Sequence, residues 1–175
     1  MKVSLKLWQT SGFLFTAIFG CLLHFLYNRT NRSIIAAPFS AVNESTWEHM
    51  KLLYFPMLVF TIAQYQIIGR SYDSFMSVKL IGTLTGLLLI PIIYYTYTGA
   101  FGSNADWFNI AIFFIAAGAA YYAEYLLLSK KAEFGVSSAA SLAALCVIGA
   151  LFVIFTFIQP EIPLFKDAVT GKYGM

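Results

Sequence analysis

Charge is the scarcest ingredient of this sequence. Only 11% of its 175 residues are Asp, Glu, Lys or Arg, against about a quarter in soluble domains. Hydrophobic residues make up 59%, aromatic residues 18%, and mean hydropathy is +0.74. So little charge cannot clothe a globule in water, so the composition points to an integral membrane protein, short enough to be a single domain over 1–175. Histidine and cysteine are nearly missing, with two of each. Cys21 and Cys146 both sit inside apolar runs, with no CxxC or Cys/His spacing, which argues against a disulfide framework or a cysteine zinc site. No basic run accompanies the net charge of +3, so nucleic acid is not an expected partner. Phosphate-cradling and serine-nucleophile motifs are missing too, and no length remains for a soluble cofactor domain.

What is present is long apolar runs. A helix needs about 20 apolar residues to cross the hydrocarbon core. Five segments meet that length: 7–27, 47–68, 78–97, 107–128 and 138–158. Turn-forming clusters close them: "NRTNRS", "GRSYDS", "TGAFGSNAD", "SKKAEFG" and "QPEIP". Backbone polar groups cannot stay unpaired in lipid, so each run reads as a helix. The expected fold is all-α, a bundle of about five transmembrane helices. The first run has a basic start but continues past Cys21 as "LLHFLY", so it reads as a retained span rather than a cleaved signal. Ile34–Val42 is too short to cross and reads as an interfacial loop or a re-entrant hairpin. Residues 159–175 read as an ordered extramembrane tail, with a lid over a pocket as the alternative.

Lys and Arg set the orientation. With the N-terminus inside, Lys2, Lys6, Arg70, Lys79, Lys130 and Lys131 lie on the inner side. Arg29, Arg32, Lys166, Lys172 and Lys51 fall on the outer side, and the third connection, Thr98–Asp106, holds no Lys or Arg. The expectation is N-terminus inside and C-terminus outside. Gly82 and Gly86 in "GTLTG", the "AAGAA" of span four and the "AASLAA" of span five read as close-packing faces. Pro56 and Pro91 lie within spans and suggest kinks.

The few polar residues gather at one end. "NESTWEHMK", Asn43 to Lys51, straddles the outer start of span two. Ser45 followed three residues later by Glu48 is a capping-box pattern. A cap uses one or two side chains, and this stretch offers six. Glu44 and Glu48 share a helical face if the helix begins early enough, and Ser45 and His49 share a neighbouring one. His24, Asn28, Tyr94 and Asn109 are expected at the same outer level. With Glu44, Ser45, Glu48 and His49 they would line an outward-facing polar pocket, and Asp106 opens span four nearby. His24, His49 and one carboxylate, Glu44 or Glu48, with Glu48 as the assigned ligand, would form a site for zinc or another divalent metal; no other cofactor is expected. Glu124 is an ionisable group inside span four, and Lys79 lies at similar depth, as a structural ion pair or as the inner end of a proton or cation path.

"NESTWEHMKLLYFPM" and "PLFKDAVTGKYG" resemble a family of small uncharacterised multi-span membrane proteins of Gram-positive bacteria. The resemblance covers most of the chain and implies a helical protein of the bacterial plasma membrane, with no activity or functional residues. The Ser45–His49 spacing bears a faint similarity to the intramembrane metal-dependent hydrolases of the alkaline ceramidase and progestin-receptor group, but a paired HxxxH is missing.

Three functions fit. The leading one is small-solute, cation or proton transport, or ligand binding, at the outer pocket, a non-enzymatic role favoured over an enzymatic one that stays open. The others are an intramembrane metal-dependent hydrolase and a non-catalytic assembly subunit. The partners implied are membrane lipid, a small solute or cation, and a second copy or another membrane protein.

Overall fold

The computed structural model describes residues 4–102 and 105–175. Lys2, counted above on the inner side, and Ser103 and Asn104 of the third connection lie outside the described residues. Five α-helices account for the five apolar runs: α1 (Leu5–Arg29), α2 (Thr46–Ile67), α3 (Phe75–Phe101), α4 (Asp106–Ser129) and α5 (Ser138–Phe157). Two short 3₁₀ turns, Gly69–Ser71 and Pro163–Phe165, complete the regular structure among the described residues. Four of the helices, α1, α3, α4 and α5, are long and apolar enough to cross a membrane.

α2 differs because it carries Glu48, Lys51, Gln64 and Gln66. Glu48, Lys51 and Gln64 are fully buried, while Gln66 is exposed near the helix end and accepts from Arg70. Twelve of the 22 residues of α2 are buried, and α1, α3, α4 and α5 all pack against it. A helix surrounded by protein can hold polar groups where a lipid-facing one cannot. Its core residues Leu53, Tyr54 and Met57 are fully buried. Both prolines are accommodated inside continuous helices.

Small residues set the spacing of the bundle. A Cβ at Gly82 would collide with the side chain of Glu124, and one at Gly86 would strike Leu53. The "GTLTG" stripe therefore faces α4 and α2 of the same chain. Ala116, Ala117 and Ala120 of α4 are completely buried. The "AASLAA" run of α5 behaves otherwise: Ala139, Ala140 and Ala143 are exposed, and Ser141 is the residue that turns inward, meeting Ser77 at 2.9 Å. That expectation of a packed face is corrected: α5 is an outer helix touching its neighbours along one narrow stripe.

The connections sort the polar groups by end. Ser74 donates to Ala132 O and Ser138 to Asp73 O, so the start of α3, the end of α4 and the start of α5 share one end. The opposite end gathers the end of α1, the start of α2, the start of α4 and the tail. The reversal after α1 passes through Asn31 and Arg32 at positive φ. Residues 33–40 then coil back over α2, leaving Ile34 and Ile35 exposed.

Candidate functional site

The site is built on the first turn of α2. Ser45 is the N-cap, and its hydroxyl accepts from Glu48 N at 3.4 Å. Its carbonyl accepts from Nδ1 of His49 at 2.9 Å. A carbonyl cannot donate, so this contact places a proton on Nδ1 and directs Nε2 outward from the helix. His24, near the end of α1, packs edge-on against this ring with centroids 5.5 Å apart.

Glu44 lies two residues before the helix, where no helical register aims its side chain. The tail aims it. Asp167 accepts from Glu44 N at 3.0 Å, and Ala168 N donates back to Glu44 O. Next to it, Asn43 accepts from Ser45 N and donates to Gly174 O at 2.8 Å. So fixed, Glu44 Oε2 lies 3.4 Å from His49 Nε2 and 3.6 Å from His24 Nε2. One donor atom from each of the three residues falls within 4.8 Å of the others. Zinc–ligand bonds of 2.0–2.1 Å at tetrahedral angles put ligand atoms about 3.3 Å apart. The two Glu44 edges are already near that length.

Three lone-pair-bearing atoms converging this closely need a positive charge between or upon them, a proton or a metal ion. The hydrogen bond from His49, with the charge of both imidazoles, holds the Glu44 carboxyl below its ordinary value, against burial and the charge of Asp167. Burial pushes Asp167 up, but the backbone N–H groups of Thr170, Glu44 and Val169 outweigh it and leave Asp167 below its ordinary value.

Glu48 is elsewhere. Its side chain is completely buried, and Oε2 accepts from Lys51 Nζ at 2.6 Å and from Val42 N at 3.0 Å. Lys51 spends its other donors on Ala37 O and Thr156 Oγ1. This group clamps the loop before α2, α2 itself and the end of α5 together. The carboxylate beside the two histidines is thus Glu44, not the Glu48 assigned from sequence. The difference arises because α2 begins at Thr46, too late for Glu44 and Glu48 to share a face. Asn28 is exposed on the last turn of α1 and joins none of this.

Glu44 and His49 open into a two-limbed cleft that also meets Asp106, Asn109, Phe113 and Val169 in both limbs. The smaller limb, about 70 Å³, runs toward α3 and reaches Tyr94 and Ile90. The larger, about 430 Å³, runs between α1 and α4 past His24 and Cys21. Tyr94 and Asn109 therefore line the cleft, and Asn109 Oδ1 is buried without a hydrogen-bond partner. Ser45 contributes through its carbonyl and its cap rather than as a wall. Val169 and Asp167, both in the tail, were not singled out from the sequence. The motif "PLFKDAVTGKYG" was the available signal, and only the fold shows where it docks.

At the other end of the bundle, Lys79 Nζ meets Glu124 Oε2 at 2.6 Å and Gln64 Oε1 at 3.1 Å, with all three side chains fully buried. Each charge answers the other, which makes this an ion pair joining α3 to α4 and α2.

No curated protein and no solved structure matches the chain. A family of unknown function does match, over residues 1–175, and the chain belongs to it: DUF6512.

Proposed function

We propose that this protein binds a divalent transition metal, zinc foremost, through His24 Nε2, Glu44 Oε2 and His49 Nε2, and offers the ion's remaining coordination position to a ligand in the adjoining cleft. The observation that carries this reading is the convergence of those three atoms at the outer end of a cavity. Three protein ligands with an open fourth position suit ligand binding or catalysis, whereas a structural site is closed. The contact from His49 Nδ1 to the Ser45 carbonyl supplies the outer-shell hydrogen bond that fixes a ligating imidazole.

Binding is favoured over passage of a solute. Leu52, Ile112 and Phe113 are apolar residues of the cleft lining, and Glu124, the carboxylate a relay would use, is held by Lys79. A hydrolytic role is the second reading, favoured by Asp106. Asp106 lines both limbs outside the ligand set, and its carboxylate is the candidate general base for a metal-bound water.

The setting we propose is the bacterial plasma membrane, crossed by five helices with the N-terminus inside, so that the cleft faces outward. A reporter fused after Met175 would then be active on the outer side only.

The test is calorimetric titration of Zn²⁺ into metal-stripped protein. One site per chain in the parent, lost in His24→Ala and in His49→Ala, is expected. Equal binding in parent and variants contradicts it. Asp106→Asn separates the second reading: it would abolish hydrolysis and leave Zn²⁺ binding intact.

A further inference from the structure

The larger limb has a shape that a bare cation does not need. Its polar groups, His24, Glu44, His49, Asp106 and Asn109, lie at its outer end. Phe25 stacks on His24 at that end, and the apolar remainder runs between α1 and α4, walled by Cys21 one turn deeper on one side and by Ile110 and Phe114 on the other. These walls follow helical spacing: 21 and 25 are one turn apart on α1, and 110 and 114 one turn apart on α4. The floor is closed by Gly20, where a Cβ would strike the Phe113 ring and crowd the Leu52 carbonyl.

The groove is also open along its length. Phe25 and Ile110 are 58% and 59% exposed, and Cys21 is exposed. Both helices that carry these residues are long and apolar enough to span a membrane. In a membrane, such exposed apolar sides would face acyl chains, so the groove would open sideways toward the bilayer as well as at its polar outer end. From Asp106 to Phe114 is eight residue steps along α4, about 12 Å at 1.5 Å per residue. The volume of about 430 Å³ lies within the range of small-molecule sites, about 300–1,000 Å³.

We propose that the ligand of the cleft is an amphipathic lipid, with an oxygen-bearing head on the metal held by His24, Glu44 and His49 and one hydrocarbon chain lying between α1 and α4, admitted laterally from the membrane. This rests on the metal reading above. The polar end alone would suit a soluble ion, and the apolar groove alone would be a lipid-filled crevice. Their continuity within one cavity favours a molecule with both parts.

The probe is a series of straight-chain alkyl hydroxamates, from acetohydroxamate upward, titrated into Co²⁺-loaded full-length protein in nanodiscs and read by the visible spectrum of the cobalt. All members share one metal-seeking head. Burial of each added methylene is worth about 0.8 kcal/mol, roughly a fourfold gain in affinity. Affinity in the parent protein is expected to rise with chain length and level off once the groove is full. Ile110→Trp and Cys21→Phe, both at exposed wall positions, should bind acetohydroxamate as the parent does and lose the gain from longer chains. Chain-length dependence that is the same in parent and both variants overturns the groove, since partitioning into the nanodisc would explain it. Binding of the shortest member with no dependence on length overturns the lipid assignment and leaves the metal site standing. If even acetohydroxamate fails to perturb the cobalt spectrum, the metal reading falls and this inference falls with it.

Discussion

Replacing Glu48 by Gln removes the anion that Lys51 meets at 2.6 Å in a fully buried setting. An uncompensated buried charge costs about 3–5 kcal/mol, so Glu48→Gln should lower thermal stability sharply while the folded fraction still binds metal. Glu44→Gln should do the reverse, since its side chain is 42% exposed and its role is to the histidines. Thermal melts paired with metal titrations check both, and Glu48→Gln losing metal from folded protein would reverse the assignment. The "NESTWEH" stretch therefore does two jobs: Ser45 and Glu48 start and brace a helix, while Glu44 and His49 form the site. The sequence showed that too many polar groups were present for a cap alone. It could not show which carboxylate joined the histidines, because that depends on where α2 begins and on the tail that holds Glu44. Acid should also empty the site. An imidazole must be neutral to ligate, so metal affinity should fall as pH is lowered from about 8 to about 5. Zn²⁺ titrations across that range check it, and a flat profile down to pH 5 would contradict histidine ligation.

At the scale of elements, the tail and the glycine stripe make contrasting predictions. Phe165 is buried against Trp47, with ring centroids 4.7 Å apart, and Asp167 receives three backbone N–H groups, from Glu44, Val169 and Thr170. Asp167 is held below the ordinary value of 3.8. Its contribution is therefore complete above that value and lost as pH falls through the lower, folded one. The tail should stay docked at pH 5 and resist proteolysis there. Asp167→Ala should free it at neutral pH and weaken metal binding through Glu44, which a combined proteolysis and titration experiment would read. Within α3, Gly82→Ala should destabilise the protein because its Cβ would displace Glu124 from Lys79. Gly99 has open space around the same position, so Gly99→Ala should be neutral or stabilise by up to about 1 kcal/mol. Thermal melts in one detergent compare the two. The small-xxx-small spacing was visible in sequence, but its partner was not, because the same motif serves contacts within a chain and between chains.

At the scale of the whole molecule, the length of the apolar runs located the helices well because few other solutions exist for runs of that length. The place of α2 was harder to read. The length of its apolar run reads as one more span, whereas it is the helix the others surround, and its buried charged and amide groups belong to two clusters at opposite ends. Glu48 with Lys51 fastens the end that holds the cleft, and Lys79 with Glu124 fastens the other. Between them lies an apolar interior that includes Tyr54, Met57 and Ile112. A bundle tied at both ends gives the His24–Glu44–His49 group a fixed frame, and the cleft between α1 and α4 is where that frame stays open.

The most direct test is the metal content of gently purified protein, by elemental analysis with X-ray absorption at the metal edge, for the parent, Glu44→Ala and Glu48→Gln. The account predicts about one zinc or similar ion per chain in the parent and in folded Glu48→Gln, bound by nitrogen and oxygen at about 2.0–2.1 Å, and little in Glu44→Ala. No metal in the parent after purification in the presence of zinc would contradict it and leave the three residues as a proton-sharing cluster.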